Sequence, residues 1–272
     1  MFLEKHTLAV IGAGRIGESV IAGLIDSKAI LPERIIATAR SPQRLERLQQ
    51  KYGVRTTTVN VDAVKEADLV IIAVKPQVVA EVLPQIAKAL TPKHLLISVA
   101  ASVTTALFER GLEGPIPVVR AMPNTPCFVK TGMTGVCGGK HATAEQLELT
   151  KKIFQQIGRC VVVEERHMDA VTGLSASGPA FIYMVIESLA EAGVKVGLPR
   201  AVATELAAQT VLGSAKMVLE TGEHPAQLKD QVTTPAGCTI DGILELEEGG
   251  LRVTLIKGVV RAVRRASELV NH

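Results

Sequence analysis

From Thr7 to about Val163, short β-branched and aliphatic runs alternate with segments whose apolar residues recur every three or four positions. The runs Leu8–Ile11, Arg34–Thr38, Leu69–Val74, Leu95–Ser98, Val118–Ala121 and Val161–Val163 are too short for helices and are rich in Val and Ile, as strands buried on both faces are. Between them, Pro42–Lys51, Gln77–Leu90 and Ala144–Gln156 carry the spacing of helices that cover a sheet. Strand and helix in turn predict an α/β fold with a doubly wound parallel sheet.

After Glu165 the pattern changes to Ala- and Leu-rich segments, Pro179–Val196 and Pro199–Glu220 among them, with no convincing strand. The expected division is an N-terminal α/β domain over residues 1–165 and an all-helical domain over 166–272. Phe181, Met184, Val185, Leu189 and Ala192 form one stripe of the first segment, and the small residues around them suit close helix packing. Such stripes exceed what a domain of this size buries internally, which predicts self-association into at least a dimer.

Composition narrows the function. The 272 residues are 47% hydrophobic, enough for two ordinary cores, and 30 Lys and Arg against 27 Asp and Glu leave a net charge of only +3. That balance gives no field for a nucleic-acid partner. Cys127, Cys137, Cys160 and Cys238 lack ligand spacing, so neither a metal site nor a disulfide framework is expected. Glu4, Lys5 and His6 precede a strand almost at once and leave no room for a signal peptide. No apolar run approaches the roughly 18 residues of a membrane span, so a cytoplasmic protein is expected.

The chemistry begins at Gly12-Ala13-Gly14-Arg15-Ile16-Gly17, a GxGxxG run directly after an apolar strand and opening a helical pattern. In that setting Gly12 permits a tight turn, Gly14 lets the backbone approach a pyrophosphate, and Gly17 lets helix pack on strand, the arrangement of a Rossmann dinucleotide site. The second strand ends Thr38-Ala39-Arg40-Ser41, with a cation and a hydroxyl where an acidic residue would select NADH. NADPH is therefore the expected cofactor, Arg40 pairing with its 2′-phosphate and NADH remaining usable. Ala73-Val74-Lys75-Pro76 ends another strand at the ligand-binding edge; Lys75 there can serve a phosphate, a ribose or a carboxylate, or simply precede a helix that Pro76 starts. Ser98-Val99-Ala100-Ala101 offers small side chains where a flat nicotinamide could lie, although turn packing explains it equally.

Four blocks, Ala73 to Pro76, Met122-Pro-Asn-Thr-Pro126, Asp169-Ala-Val-Thr-Gly-Leu-Ser-Ala-Ser-Gly-Pro-Ala180 and Thr233-Thr-Pro-Ala-Gly-Cys-Thr239, come in an order that resembles pyrroline-5-carboxylate reductase over nearly the whole chain. The resemblance implies a Rossmann domain, a helical dimerisation domain, NAD(P)H as hydride donor, and a dimer or ring of dimers. It places Asn60 near the adenosine ribose, and Ala73 to Pro76 with Ala100 and Ala101 along the nicotinamide. It makes Thr239 catalytic, bonding the ring nitrogen of 1-pyrroline-5-carboxylate, while the N–H groups around Gly237, Cys238 and Thr239 hold the carboxylate and Thr234 is a further substrate contact. Gln231 and Glu165 are further substrate contacts by position. Two departures stand out: paired glycines of the family are replaced at Pro235-Ala236-Gly237, and Ala176 stands in its Gly-Ser-Gly, each adding a methyl group.

The implied reaction is hydride transfer to the C5 imine carbon, giving L-proline; it asks chiefly for orientation of two molecules, which fits the lack of an obvious strong acid. Two other readings use the same architecture. A hydroxyacid dehydrogenase would need a lysine or histidine to move the alcohol proton, for which Lys216 is the helical-domain candidate. A regulatory protein would bind NADPH without turning over an imine.

Overall fold

A computed structural model describes residues 2–270. In chain order the elements are β1 (Leu8–Ile11), α1 (Arg15–Asp26), β2 (Ile35–Thr38), α2 (Pro42–Tyr52), β3 (Arg55–Thr57), α3 (Asn60–Lys65), β4 (Leu69–Ile72), α4 (Pro76–Ala87), β5 (Leu95–Ser98), α5 (Thr105–Arg110), β6 (Val118–Pro123), β7 (Gly132–Gly138), α6 (Ala144–Gln155) and β8 (Gly158–Val162). There follow α7 (Met168–Val171), α8 (Gly178–Lys195), α9 (Arg200–Thr221), α10 (Pro225–Val232), α11 (Cys238–Glu248) and α12 (Leu251–Val270). The strands form one sheet in the order β3-β2-β1-β4-β5-β6-β7-β8. Alternate residues of each strand feed opposite faces: Leu8, Val10, Ile35, Ala37, Ile71 and Ile97 meet α1 and α6 through Val20, Ile21, Leu24 and Phe154. Ala9, Ile11, Ile36, Ile72 and Leu96 meet α3, α4 and α5 through Val64, Leu83, Ile86 and Phe108. Both faces are covered, so the strands read as continuous apolar runs.

One departure from an all-parallel sheet is β7, which runs antiparallel to β6 before β8 pairs parallel with it. Its sequence, GMTGVCG, carries little strand propensity. Close packing explains the glycines: a Cβ on Gly135 would come within 2.8 Å of Val171. β3 is likewise unmarked in the apolar pattern, because an edge strand of Arg and Thr buries little.

Two compact units are present, one of residues 2–177 together with the last turns of α12 from Ala262, the other Gly178–Arg261. Within the first, Val263 backs onto Gly173, where a Cβ would meet the Val263 nitrogen at 2.7 Å, and the Ser102 hydroxyl donates to the Ala266 carbonyl at 3.3 Å. In the second, α8 and α9 meet through a small-residue seam of Ala190, Ala203 and Ala207, flanked by Ile186 and Val194. The stripe expected to pack, with Met184 and Leu189, stays largely outside that seam. Leu212, Leu219, Leu244 and Ile256 are also more than half exposed. Within Glu165–Lys195 an 18-residue window has the mean hydropathy (1.2) of a membrane crossing by length and composition alone, which corrects the expectation that nothing here approaches one. The first turns of that segment bury Met168 completely beside Met122 and Cys137.

Candidate active site

At the carboxyl edge of β1, β2 and β4 the α/β unit opens a cavity of about 470 Å³, the place where open α/β sheets receive ligands. Of the residues expected to hold the cofactor, Gly12, Ala13, Gly14, Arg40, Ser41, Asn60, Ala73, Val74 and Lys75 line it together. Gly12 has φ +75°, and a side chain there would collide with Val74; the turn thus needs glycine for conformation and for space. At Gly17 a Cβ would stand 3.0 Å from Val10, which is how closely α1 lies on β1.

Arg15, Ile16 and Gly17 do not line the cavity but form the first turn of α1, whose N-cap Gly14 supplies no side-chain acceptor. Their amides are free to serve an anion. The Arg15 side chain turns away, over the Phe128 ring at 4.6 Å. Pro76 begins α4 with Lys75 as its N-cap. Ala100 is almost wholly buried and Ala101 packs near Met122, so neither side chain borders this cavity.

Thr38 knits the cavity floor: its hydroxyl accepts from the Gly12 amide at 3.1 Å and donates to Asn60 Oδ1 at 2.7 Å, while Asn60 Nδ2 donates to Gln85 at 3.1 Å. Ser41 caps α2, accepting from the Arg44 amide at 3.4 Å, and its own proton goes to Gln43 Oε1 at 2.8 Å. Arg40 is exposed and makes no ion pair among the described residues. A glycine turn, an uncapped helix start and an unpaired arginine in one cavity fit a phosphorylated dinucleotide.

In the helical unit the turn between α10 and α11 gathers Thr234, Gly237, Cys238 and Thr239. Gly237 is the N-cap of α11, again without a side-chain cap, and its amide donates to the Thr234 carbonyl at 3.0 Å. Any side chain at Gly237 would strike the Thr234 hydroxyl. The half-buried Thr239 hydroxyl has no hydrogen-bond partner among the described residues. Gln231 is already committed, donating to Glu223 at 2.6 Å. Lys216 forms an exposed pair with Glu220 at 3.6 Å, one turn along α9.

Glu165 is engaged within the α/β unit, accepting from the Thr105 amide at 2.8 Å and from the Thr105 hydroxyl. Arg120 on β6, only 2% exposed, lies 3.6 Å from Glu165 and 3.7 Å from Asp169. Asn124 accepts from the Met133 amide at 2.8 Å and donates to the Ser175 carbonyl at 3.1 Å, holding the π-helical turn Thr172–Ala176. The Arg120 pairs and the Asn124–Ser175 bond join residues more than 40 positions apart, and nothing in the local pattern marks Arg120 as the partner of the Asp169 block.

Residues 165–269 match the family described as pyrroline-5-carboxylate reductase dimerisation, and residues 7–102 match NADP oxidoreductase, coenzyme F420-dependent. A pyrroline-5-carboxylate reductase of Methanosarcina acetivorans is 46% identical over 267 residues, covering 98% of this chain and 99% of the relative. The chain belongs to the pyrroline-5-carboxylate reductases. The Escherichia coli reductase is 39% identical over 98% of this chain and 99% of its own. Among solved structures, the Coxiella burnetii reductase matches with a TM-score of 0.92 at 38% identity, covering 97% of this chain and 98% of that one. The Plasmodium falciparum reductase, solved with NADP bound, matches at 0.87 and 29%, covering 98% and 99%. This reductase is thus an oxidoreductase with a Rossmann-type nicotinamide-nucleotide domain and a helical dimerisation domain.

Proposed function

We propose that this reductase converts 1-pyrroline-5-carboxylate to L-proline, the last step of proline biosynthesis, with NADPH preferred over NADH. The near end-to-end similarity to reductases of that name carries the reading. The cofactor, when bound, supplies the hydride that reaches the C5 imine carbon.

The chain's own residues then have distinct tasks. The glycine loop and the amides of Arg15, Ile16 and Gly17 hold the pyrophosphate, Arg40 and Ser41 the 2′-phosphate, and Asn60 the ribose. Ala73, Val74, Lys75, Pro76, Ala100 and Ala101 flank the nicotinamide. Thr239 donates its hydroxyl to the substrate ring nitrogen, and the uncapped start of α11, with Gly237 and Cys238, binds the carboxylate. Thr234, Gln231 and Glu165 are further substrate contacts. In the Glu165 case, its present partners Thr105 and Arg120 orient the carboxylate. We assign residues 1–165 to cofactor binding and 166–272 to substrate binding and self-association, as a dimer or ring of dimers in the cytoplasm.

The decisive assay follows NADPH oxidation with pyrroline-5-carboxylate, then NADP⁺ reduction with 3-hydroxy acids. Turnover of the imine alone is expected. Turnover of hydroxy acids alone would replace the reading with a dehydrogenase, and nucleotide binding with neither activity would leave a regulatory protein.

A further inference from the structure

We propose that Arg44 is a positioning residue that locks the glycine loop in its nucleotide-binding shape and so ties pyrophosphate binding to the turn that carries Arg40. The inference rests on the cofactor reading above. Arg44 is the third residue of α2, and its guanidinium reaches back across the cavity rim: Nε donates to the Ala13 carbonyl at 2.5 Å and Nη2 to Glu18 Oε2 at 3.1 Å. One side chain thereby fastens α2 to the glycine loop and to α1, at points 31 and 26 residues away from it in sequence.

The far anchor is itself fixed. Glu18, in the first turn of α1, also accepts from Lys51 Nζ at 3.2 Å and the Tyr52 hydroxyl at 3.1 Å, with Arg47 at 3.9 Å. The near end acts on the loop directly. A peptide is planar and trans, so holding the Ala13 oxygen fixes the plane of the Ala13–Gly14 unit and the direction in which Gly14 enters α1. Ala13 is pinned from its other side by its amide, which donates to the Thr38 carbonyl at 2.7 Å. A guanidinium offers two donors in a rigid planar fork that reaches both acceptors, whereas a lysine ammonium is a point charge without that geometry. Arg44 borders the cavity together with Arg40, so a direct contact with the 2′-phosphate is the competing role.

The two roles separate on a nucleotide without that phosphate. NADPH and NADH are titrated by their fluorescence against the parent, Arg44→Met, Arg44→Lys, Glu18→Gln and Arg40→Ala, with thermal unfolding of each nucleotide-free protein alongside. Loss of the clamp is expected to weaken both nucleotides by the same factor, about tenfold for Arg44→Met, with kcat at saturating NADPH within twofold of the parent. Arg44→Lys should recover only part of the loss, and Glu18→Gln, leaving Arg44 in place, should reproduce it in smaller measure. Arg40→Ala should weaken NADPH alone. Selective loss of NADPH in Arg44→Met would make Arg44 a phosphate ligand and overturn the proposal. So would unchanged affinities with only a lowered melting temperature, which is what a purely structural arginine gives. If Arg44→Met does not fold, the Arg44→Lys and Glu18→Gln titrations decide by the same criterion. A parent that binds neither nucleotide overturns the cofactor reading itself.

Discussion

Thr239 occupies the second position of α11, beside amides that no side chain caps and with its own hydroxyl unpartnered. A hydrogen bond donated to the ring nitrogen as it gains negative charge during hydride transfer is worth about 1.5–3 kcal/mol, so Thr239→Ala should lower kcat/KM for the imine by roughly ten- to hundredfold. NADPH affinity should hold, and Thr239→Ser should keep most of the activity; steady-state kinetics on the three proteins checks this. A second residue-scale expectation concerns the departure at Ala236, which takes φ +56° where a Cβ is unfavourable. Ala236→Gly should raise unfolding stability by about 0.5–1 kcal/mol, the strain relieved less the entropy glycine adds to the unfolded chain, measurable by urea titration. The thiols differ in the same local way. Burial, with the Glu165 charge adding to it, pushes Cys137 up to about 12, and burial does the same to Cys160. At neutral pH an alkylating reagent should therefore label exposed Cys238 and spare the three buried cysteines until the protein unfolds.

At the scale of elements, the pairing of α1 with α2 through Glu18 gives the α/β unit a pH dependence of known sign. Burial drives the Glu18 carboxyl up, but hydrogen bonds from Lys51 and Tyr52 and the charges of Lys51 and Arg44 prevail and leave it below its ordinary 4.5. A carboxyl depressed in the folded state stabilises fully above its unfolded value and loses that contribution as pH falls through the folded one. Melting temperature plotted from pH 6 down to pH 3 should thus fall less steeply in Glu18→Gln than in the parent. How far such elements could be read from sequence depends on whether the reason for them is local. β1 and β5 are legible to the residue because a strand buried on both faces must be apolar throughout. β7 is hidden because its glycines answer to Val171 and other distant neighbours, not to strand propensity. The glycine loop was readable for the same reason as β1, since turn, phosphate cradle and helix start are contiguous. Arg44 and Glu18 carry no motif, their partnership existing only once α2 lies beside α1. Ser41 shows the opposite case, a hydroxyl readable both as a phosphate donor and as a helix cap, and the cap is occupied here.

For the whole molecule, the exposed apolar residues of α8, α9, α11 and α12 bear on how many chains work together. Leu212, Leu244 and Ile256 at 57%, 61% and 58% exposure cannot be satisfied by the single α8–α9 seam. Light scattering at working concentration should give at least a dimer, with Leu244→Glu shifting the mass toward monomer. The route of α12 has a further consequence, for the order in which the chain acquires structure as it leaves the ribosome. Gly173 and Ser102 wait for Val263 and Ala266, which are synthesised 90 and 164 residues later, after the whole helical insert. At about 5–20 residues per second, the nucleotide-binding unit spends roughly 5 to 30 seconds of synthesis with that face uncovered, and it closes only when the last turns of α12 arrive.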